Sequence, residues 1–236
     1  RKNAINYVRK CKMCEIEYAN YDLGSNDSEI KADIANIKHL KPDVISVLPY
    51  YIKGVKNLIP DSTKLSTVID YPFGLSSTDS RVNEVETCIN NGCDIIEVVA
   101  PLTMCGNRKY DKFRQDINAC RNICNQNAVE CRYILEYRIM SAELMYKCAQ
   151  ILAGFNIETI YVSTSHLLDC IADHMLACIL TNQKVANIDI MAGGPAWTDR
   201  QLEILFNNKD KIKGYKCTNP HSLEKIVNFL STSSSK

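Results

Sequence analysis

No stretch of this chain approaches the ~18 consecutive apolar residues that a membrane span needs, so no span is expected. Neither sign of charge is in excess. Lysine and arginine number 28 against 27 for aspartate and glutamate, so nothing global draws the protein onto nucleic acid or an anionic membrane, and no polyanionic partner is expected. Linkers rich in Pro, Gly or Ser are missing, as is any Gly-rich turn after the first predicted strand of the kind that announces a dinucleotide-binding doubly wound sheet. The twelve cysteines follow no regular spacing and no secretory signal precedes them, so reduced thiols are expected, in the cytoplasm or the mitochondrial matrix. The lone sequon Asn26-Asp27-Ser28 carries little weight without a secretory route. The basic start, Arg1 to Lys12, reads either as the remainder of a presequence or as an ordinary amphipathic first helix.

What is present is an alternation. Short β-branched runs at 14–19, 43–48, 64–71, 94–99, 131–137, 159–164, 187–192 and 214–218 take turns with longer segments of helical period. Helix starts are marked by Ser141, by the capping box Thr198-Asp199-Arg200-Gln201 and by Ser222 ahead of Leu223. Eight strands, each followed by a helix, in a chain nearly half hydrophobic, predict a single-domain (β/α)8 barrel of the TIM type, with the doubly wound open sheet as runner-up. The predicted organisation is an extension at 1–13, a barrel at 14–230 and a solvated, disordered tail at 231–236.

Barrel chemistry is expected at the carboxyl ends of the strands. There the runs STVIDYPFG (66–74), INNGCDIIEVVAPLTMCGN (89–107), YILEY (133–137), YVSTS (161–165), MAGG (191–194) and YKCTNPHSLEKIVNFL (215–230) together resemble deoxyribose-phosphate aldolases in order and spacing, over roughly residues 40–230. The resemblance implies a class I aldolase barrel: a strand-six lysine in a Lys-Thr-Ser-Thr-Gly turn forms a Schiff base, a strand-seven lysine tunes it, and a strand-four aspartate moves protons. Such a nucleophile must be an unprotonated amine near neutral pH.

Matched this way, the chain departs from the family. Val162 stands for the Schiff-base lysine, Ile190 for the second lysine, and Glu97 for the aspartate. Of the phosphate-holding positions, Gly193 and Gly194 remain, while His166 replaces the strand-six glycine and Pro220 and His221 replace two serines after strand eight. Proline has no amide hydrogen to offer an anion.

Other residues carry alternatives. Lys216 on strand eight is a candidate relocated Schiff-base lysine, or a side chain that never faces the mouth. Glu97 and Glu136 are either acid–base groups or carboxylates hydrogen-bonded within the mouth. His166, Cys170, His174 and Cys178 recur every four residues on one predicted helix, either as metal ligands or as a packed stripe; because three turns are too long for one ion, no metal is expected. Cys11 and Cys14 form a CxxC without a second pair. Tyr50, Tyr51, Tyr133, Tyr137, Trp197 and Phe206 read as core or interface aromatics. The expected function is a catalytically inactive aldolase-like subunit, without cofactor, that binds protein partners as a homo-oligomer or within a larger assembly. The alternatives are an active carbon–carbon lyase with a rearranged site and a non-catalytic regulator that binds a small ligand.

Overall fold

The computed structural model describes residues 15–167, 170–194, 196 and 198–233. Eight parallel strands close on themselves in chain order: β1 (Glu15–Asn20), β2 (Val44–Val47), β3 (Lys64–Ile69), β4 (Ile95–Val99), β5 (Glu130–Ile134), β6 (Thr159–Tyr161), β7 (Asp189–Gly193) and β8 (Gly214–Cys217). The ring is completed by β1 against β8, with Glu17 beside Lys216 in register. This is the TIM-type (β/α)8 barrel that the alternation predicts.

Around it run α1 (Asp27–Ile37), α2 (Ile52–Val55), α3 (Thr78–Asn90), α4 (Leu102–Gly106), α5 (Tyr110–Gln126), α6 (Ala142–Gly154), α7 (Ile171–Lys184), α8 (Asp199–Asn207) and α9 (Pro220–Ser233). Local chemistry sets several of their starts. The Ser141 side chain accepts the Leu144 amide at α6, and Thr198 and Gln201 form the anticipated capping box at α8. At α1 a further capping box is built by Asn26 and Glu29, so the asparagine of the sequon is an N-cap. At α9 the helix begins at Pro220, ahead of Ser222; the Asn219 side chain accepts the Ser222 amide, and Pro220 sits where its missing N–H costs nothing. That helix continues to Ser233, so 231–233 are helical where a disordered tail was expected, and 234–236 lie outside the described residues. The extension at 1–13 and the Cys11/Cys14 pair lie outside the described residues, as does Trp197.

Each strand has two faces. Ile16, Tyr18, Ile45, Val47, Leu65, Ile69, Ile96, Val98, Ile160, Val162, Ile190 and Ala192 face outward into the core shared with the helices. The alternate residues point inward, where Val68, Val99, Ile134, Tyr161 and Met191 form a separate apolar cluster. Each fully buried Ile or Val of the outer core contributes about 1.5–3 kcal/mol, so the helix layer holds the ring closed. Between α3 and α5 that core encloses an ion pair, Arg81 to Asp116 at 2.7 Å, with Arg81 also 3.3 Å from Asp70. No helix among the described residues is long and apolar enough to cross a membrane.

Candidate functional site

The inward faces of β1, β2, β3, β4 and β8 bring Glu17, Ser46, Ser66, Glu97 and Lys216 together in the upper lumen. The Lys216 amine lies 2.8 Å from Glu17 Oε1, donates to Glu97 Oε2 and donates to the Tyr21 hydroxyl at 2.9 Å. It also sits 4.1 Å from the centroid of the Tyr161 ring. Glu97 accepts from Ser66 at 2.5 Å and from Ser46 at 3.4 Å. Tyr161 donates to Glu17 at 2.5 Å and accepts from Arg132 at 2.9 Å. Arg132 in turn reaches Glu15 and Glu130 toward the amino end of the barrel.

Burial and neighbouring charge act against each other here. Burial opposes the Lys216 charge, but Glu17 and Glu97 override it and push the ammonium well above the ordinary lysine range. Burial, reinforced by Glu97, pushes Glu17 up to about 8. Burial also opposes ionisation of Glu97, yet Lys216 and Ser66 hold it below the usual carboxylate range. Lys216 is thus a protonated cation against the ionised Glu97, with Glu17 beside it disposed by burial to keep its own proton.

Above the cluster Tyr21 and Tyr71 pack with ring centroids 5.1 Å apart, and Tyr71 and Phe73 each meet the His166 ring edge-on. Over these rings lies a mouth cavity of about 360 Å³, lined by Asn20, Asp22, Ser165 and Thr218 besides the tyrosines and His166. The turn after β6 wraps the Glu136 carboxylate: Thr164 donates both its amide (2.9 Å) and its hydroxyl (2.6 Å), and Arg138 donates its amide at 3.1 Å. The Ser165 amide goes to Ser163 and the His166 amide to Thr164. The Gly193 amide goes to His174 Nε2 at 2.9 Å. Gly194 has φ 109° and its carbonyl accepts from Tyr215. The amides at 164, 165, 166, 193 and 222 therefore all have internal acceptors.

Two positions need correction. Val162 and Ile190 face outward, into the helix-packed core, and the lumen positions beside them belong to Tyr161 and Met191. Because the side-chain period in a strand is two, a shift of one residue exchanges the faces. Moving the match by one residue sets Tyr161 at the Lys position of Lys-Thr-Ser-Thr-Gly and Ser165 at its glycine. The backbone agrees, since Ser165 has φ 59°, the left-handed region that favours glycine. The shared Ser-Thr of the two motifs, at Ser163 and Thr164, is the signal that locates Tyr161. The four-residue stripe is also broken: α7 begins at Ile171, so Cys170 is its N-cap and His166 lies at the mouth, away from His174 and Cys178. Glu97 and Lys216 do meet in the lumen. Glu17, Tyr161 and Tyr21 complete their cluster, although none was singled out from sequence; an acidic residue at alternate positions of a buried strand, Glu15 and Glu17, is the trace they leave there.

No family model matches the chain. Part of it aligns with the deoxyribose-phosphate aldolase of Mycoplasmopsis pulmonis, 26% identical over 117 residues, which is 49% of this chain and 52% of that relative. The enzyme of the same name from Staphylococcus carnosus is 26% identical over 133 residues, 56% of this chain and 59% of the other. The barrel superposes on the solved structure titled QR15, an aldolase, with TM-score 0.79 over 94% of this chain and 97% of that one, at 17% identity. Over these aligned parts the chain is similar to deoxyribose-phosphate aldolases, and its barrel has the aldolase TIM-barrel fold. It spans about half the length of the curated relatives it matches. A deoxyribose-phosphate aldolase from Aeropyrum pernix, described as a unique tetramer, shares the barrel fold with TM-score 0.77 and 12% identity, over 92% of this chain and 89% of that one.

Proposed function

We propose that this barrel, similar to deoxyribose-phosphate aldolases, is catalytically silent and serves as a structural or interaction subunit of a protein assembly. One observation carries the reading: the Lys216 amine is clamped between Glu17 and Glu97 beneath Tyr21. Imine formation needs a free electron pair on nitrogen, and the ionised Glu97, with the Glu17 and Tyr21 oxygens around the amine, keeps a proton there. Lys213 also reaches the ring interior, but at the opposite end, with its amine on Thr159 and near Glu15. At the position that corresponds to the family nucleophile, Tyr161 offers a phenol, which cannot become an imine. The engaged amides of the 163–166 turn and of Gly193 argue in the same direction, because a phosphate would have to compete with acceptors already in place.

Large apolar side chains left exposed around the mouth, among them Leu23 and Tyr50 at 74% and 79%, support a role in protein contact. The cysteines from Cys88 to Cys217 are free thiols, which supports a reducing compartment, the cytoplasm or the mitochondrial matrix. The test is borohydride reduction after incubation with acetaldehyde or a deoxyribose phosphate, followed by peptide mass spectrometry. The expected result is unmodified protein. A reduced adduct on Lys216 would overturn catalytic silence.

A further inference from the structure

We propose that the barrel mouth is a binding site for a small primary amine in its protonated form, opposite in charge to the phosphorylated sugar for which the related aldolases are named. The inference goes beyond the interaction-subunit reading and does not depend on it. The site is the mouth cavity of about 360 Å³ over Tyr21 and Tyr71, large enough for a small organic molecule. Its wall is built just beyond the ends of four strands: Asn20, Tyr21 and Asp22 at β1, Tyr71 at β3, Ser165 and His166 at β6, and Thr218 at β8.

Charge at this mouth disfavours an anion. Asp22 stands in the cavity wall, Glu97 lies beneath Tyr21 on the far side of Lys216, and Glu136 is held by Thr164, whose carbonyl accepts from the Tyr71 hydroxyl. Among the described residues the cation nearest to them is Lys216, which is spent on Glu97 and covered by the Tyr21 hydroxyl. Arg138 is engaged by Asp173 at 3.9 Å. Lys31 and Lys53 stand on α1 and α2, outside the cavity wall, as do Asp27 and Glu29 on α1. The amides that would cradle a phosphate, at Thr164, Ser165, His166 and Gly193, already have acceptors. A ligand entering here therefore meets uncompensated negative charge, which favours a cation.

What remains open in the wall accepts hydrogen bonds. The Ser165 and Thr218 hydroxyls and the His166 imidazole have no hydrogen-bond partner among the described residues. Asp22 is held in place: its amide donates to Asn20 Oδ1 at 3.1 Å, and its carboxylate accepts from the Gly24 amide at 2.9 Å and from the Ser25 hydroxyl at 3.1 Å. A carboxylate offers about four acceptor positions, so about two are left for a ligand. An ammonium brings its N–H donors to that carboxylate and to the two hydroxyl oxygens, and the bonds to Asp22 are the charge-assisted kind. Its carbon chain lies along the Tyr71 ring, whose hydroxyl is pushed up to about 12 by burial, so the ring stays neutral and its face attracts a cation. A neutral polyol would give Asp22 only a bond about half as strong, and a sugar phosphate would set its own charge against it.

The experiment is a ligand-observed NMR titration of the full chain with three probes alike in length and different in charge: aminobutanol, butanediol and hydroxybutyrate, each with its two groups at opposite chain ends. Aminobutanol is expected to bind with a Kd on the order of 1 mM, which about six non-hydrogen atoms can supply. The diol should bind about tenfold more weakly, and the carboxylate weaker still. Asp22→Asn should weaken the amine about tenfold and leave the diol unchanged, and Tyr71→Leu should weaken the amine about fivefold. Asp61→Asn removes the same charge from the turn before β3, at the opposite end of the barrel, and should change nothing. The inference is overturned if the amine fails to bind up to about 50 mM, if the diol binds as tightly, or if Asp61→Asn weakens the amine as much as Asp22→Asn does. None of these outcomes touches catalytic silence, which the borohydride experiment decides separately.

Discussion

The two faces of the same eight strands obey different rules. Outward, Ile45, Val47, Ile96, Val98, Ile160 and Ile190 form a continuous aliphatic layer with the helices. Inward, within one residue of each of these, stand Ser46, Glu97, Tyr161 and Met191, and beyond them Glu17, Arg132 and Lys216. The outer face is held by area buried from water, which tolerates exchanges of similar volume. The inner face near β1, β4 and β8 is held by paired charges, which tolerate almost none singly, because each leaves an uncompensated partner. A fold can therefore persist on its outer face while the chemistry of its inner face is rewritten.

The sharpest way to break this contrast is to remove one member of the charged cluster. Glu97→Ala or Lys216→Met should cost about 3–5 kcal/mol in chemical denaturation, the range for orphaning a buried charge. A cost under ~1 kcal/mol would mean the lumen is wetter and more forgiving than its burial implies.

Next in size is a pH effect. With Glu17 raised from the ordinary range to about 8, the folded state binds its proton more tightly than the unfolded chain does. The stabilisation from this group is complete below pH ~4.5 and is lost as pH rises toward 8. Melting followed from pH 5 to 8 should show a decline worth a few kcal/mol that Glu17→Gln flattens. An unchanged slope in the variant would assign the decline to other groups.

The smallest effect belongs to the outer face. Ile190→Val should cost only about 0.5–1.5 kcal/mol, with no change in the pH profile, since it trims one methylene from a packed layer. A larger loss, or an altered pH profile, would place Ile190 in the lumen after all.

The same contrast explains what could be read from the chain before its structure. All eight strands and the caps at Ser141 and Thr198 were legible, because apolar alternation and capping residues act over a few neighbouring positions. The lumen was legible only in pieces. Glu97 and Lys216 were recognised separately, but their meeting depends on closure of β1 onto β8, a contact between chain ends that no local pattern encodes. Val162 was placed at the mouth because a one-residue offset in a period-two strand changes nothing in composition and everything in direction. The start of α7 at Ile171 likewise dissolved a helical stripe that looked continuous on paper. Asn26 was passed over as a sequon without a secretory route, whereas its structural use is to cap α1.

The strand order of the ring has a further consequence for how the molecule comes into being. Synthesis delivers Glu17 first and Glu97 later, while Lys216, the cation that keeps Glu97 ionised, arrives only with the last strand. A ribosome-bound chain still short of β8 must therefore either keep Glu97 hydrated or leave it protonated. Ring closure and neutralisation of the interior become a single late event, and the molecule commits to its shape only when its final strand is released.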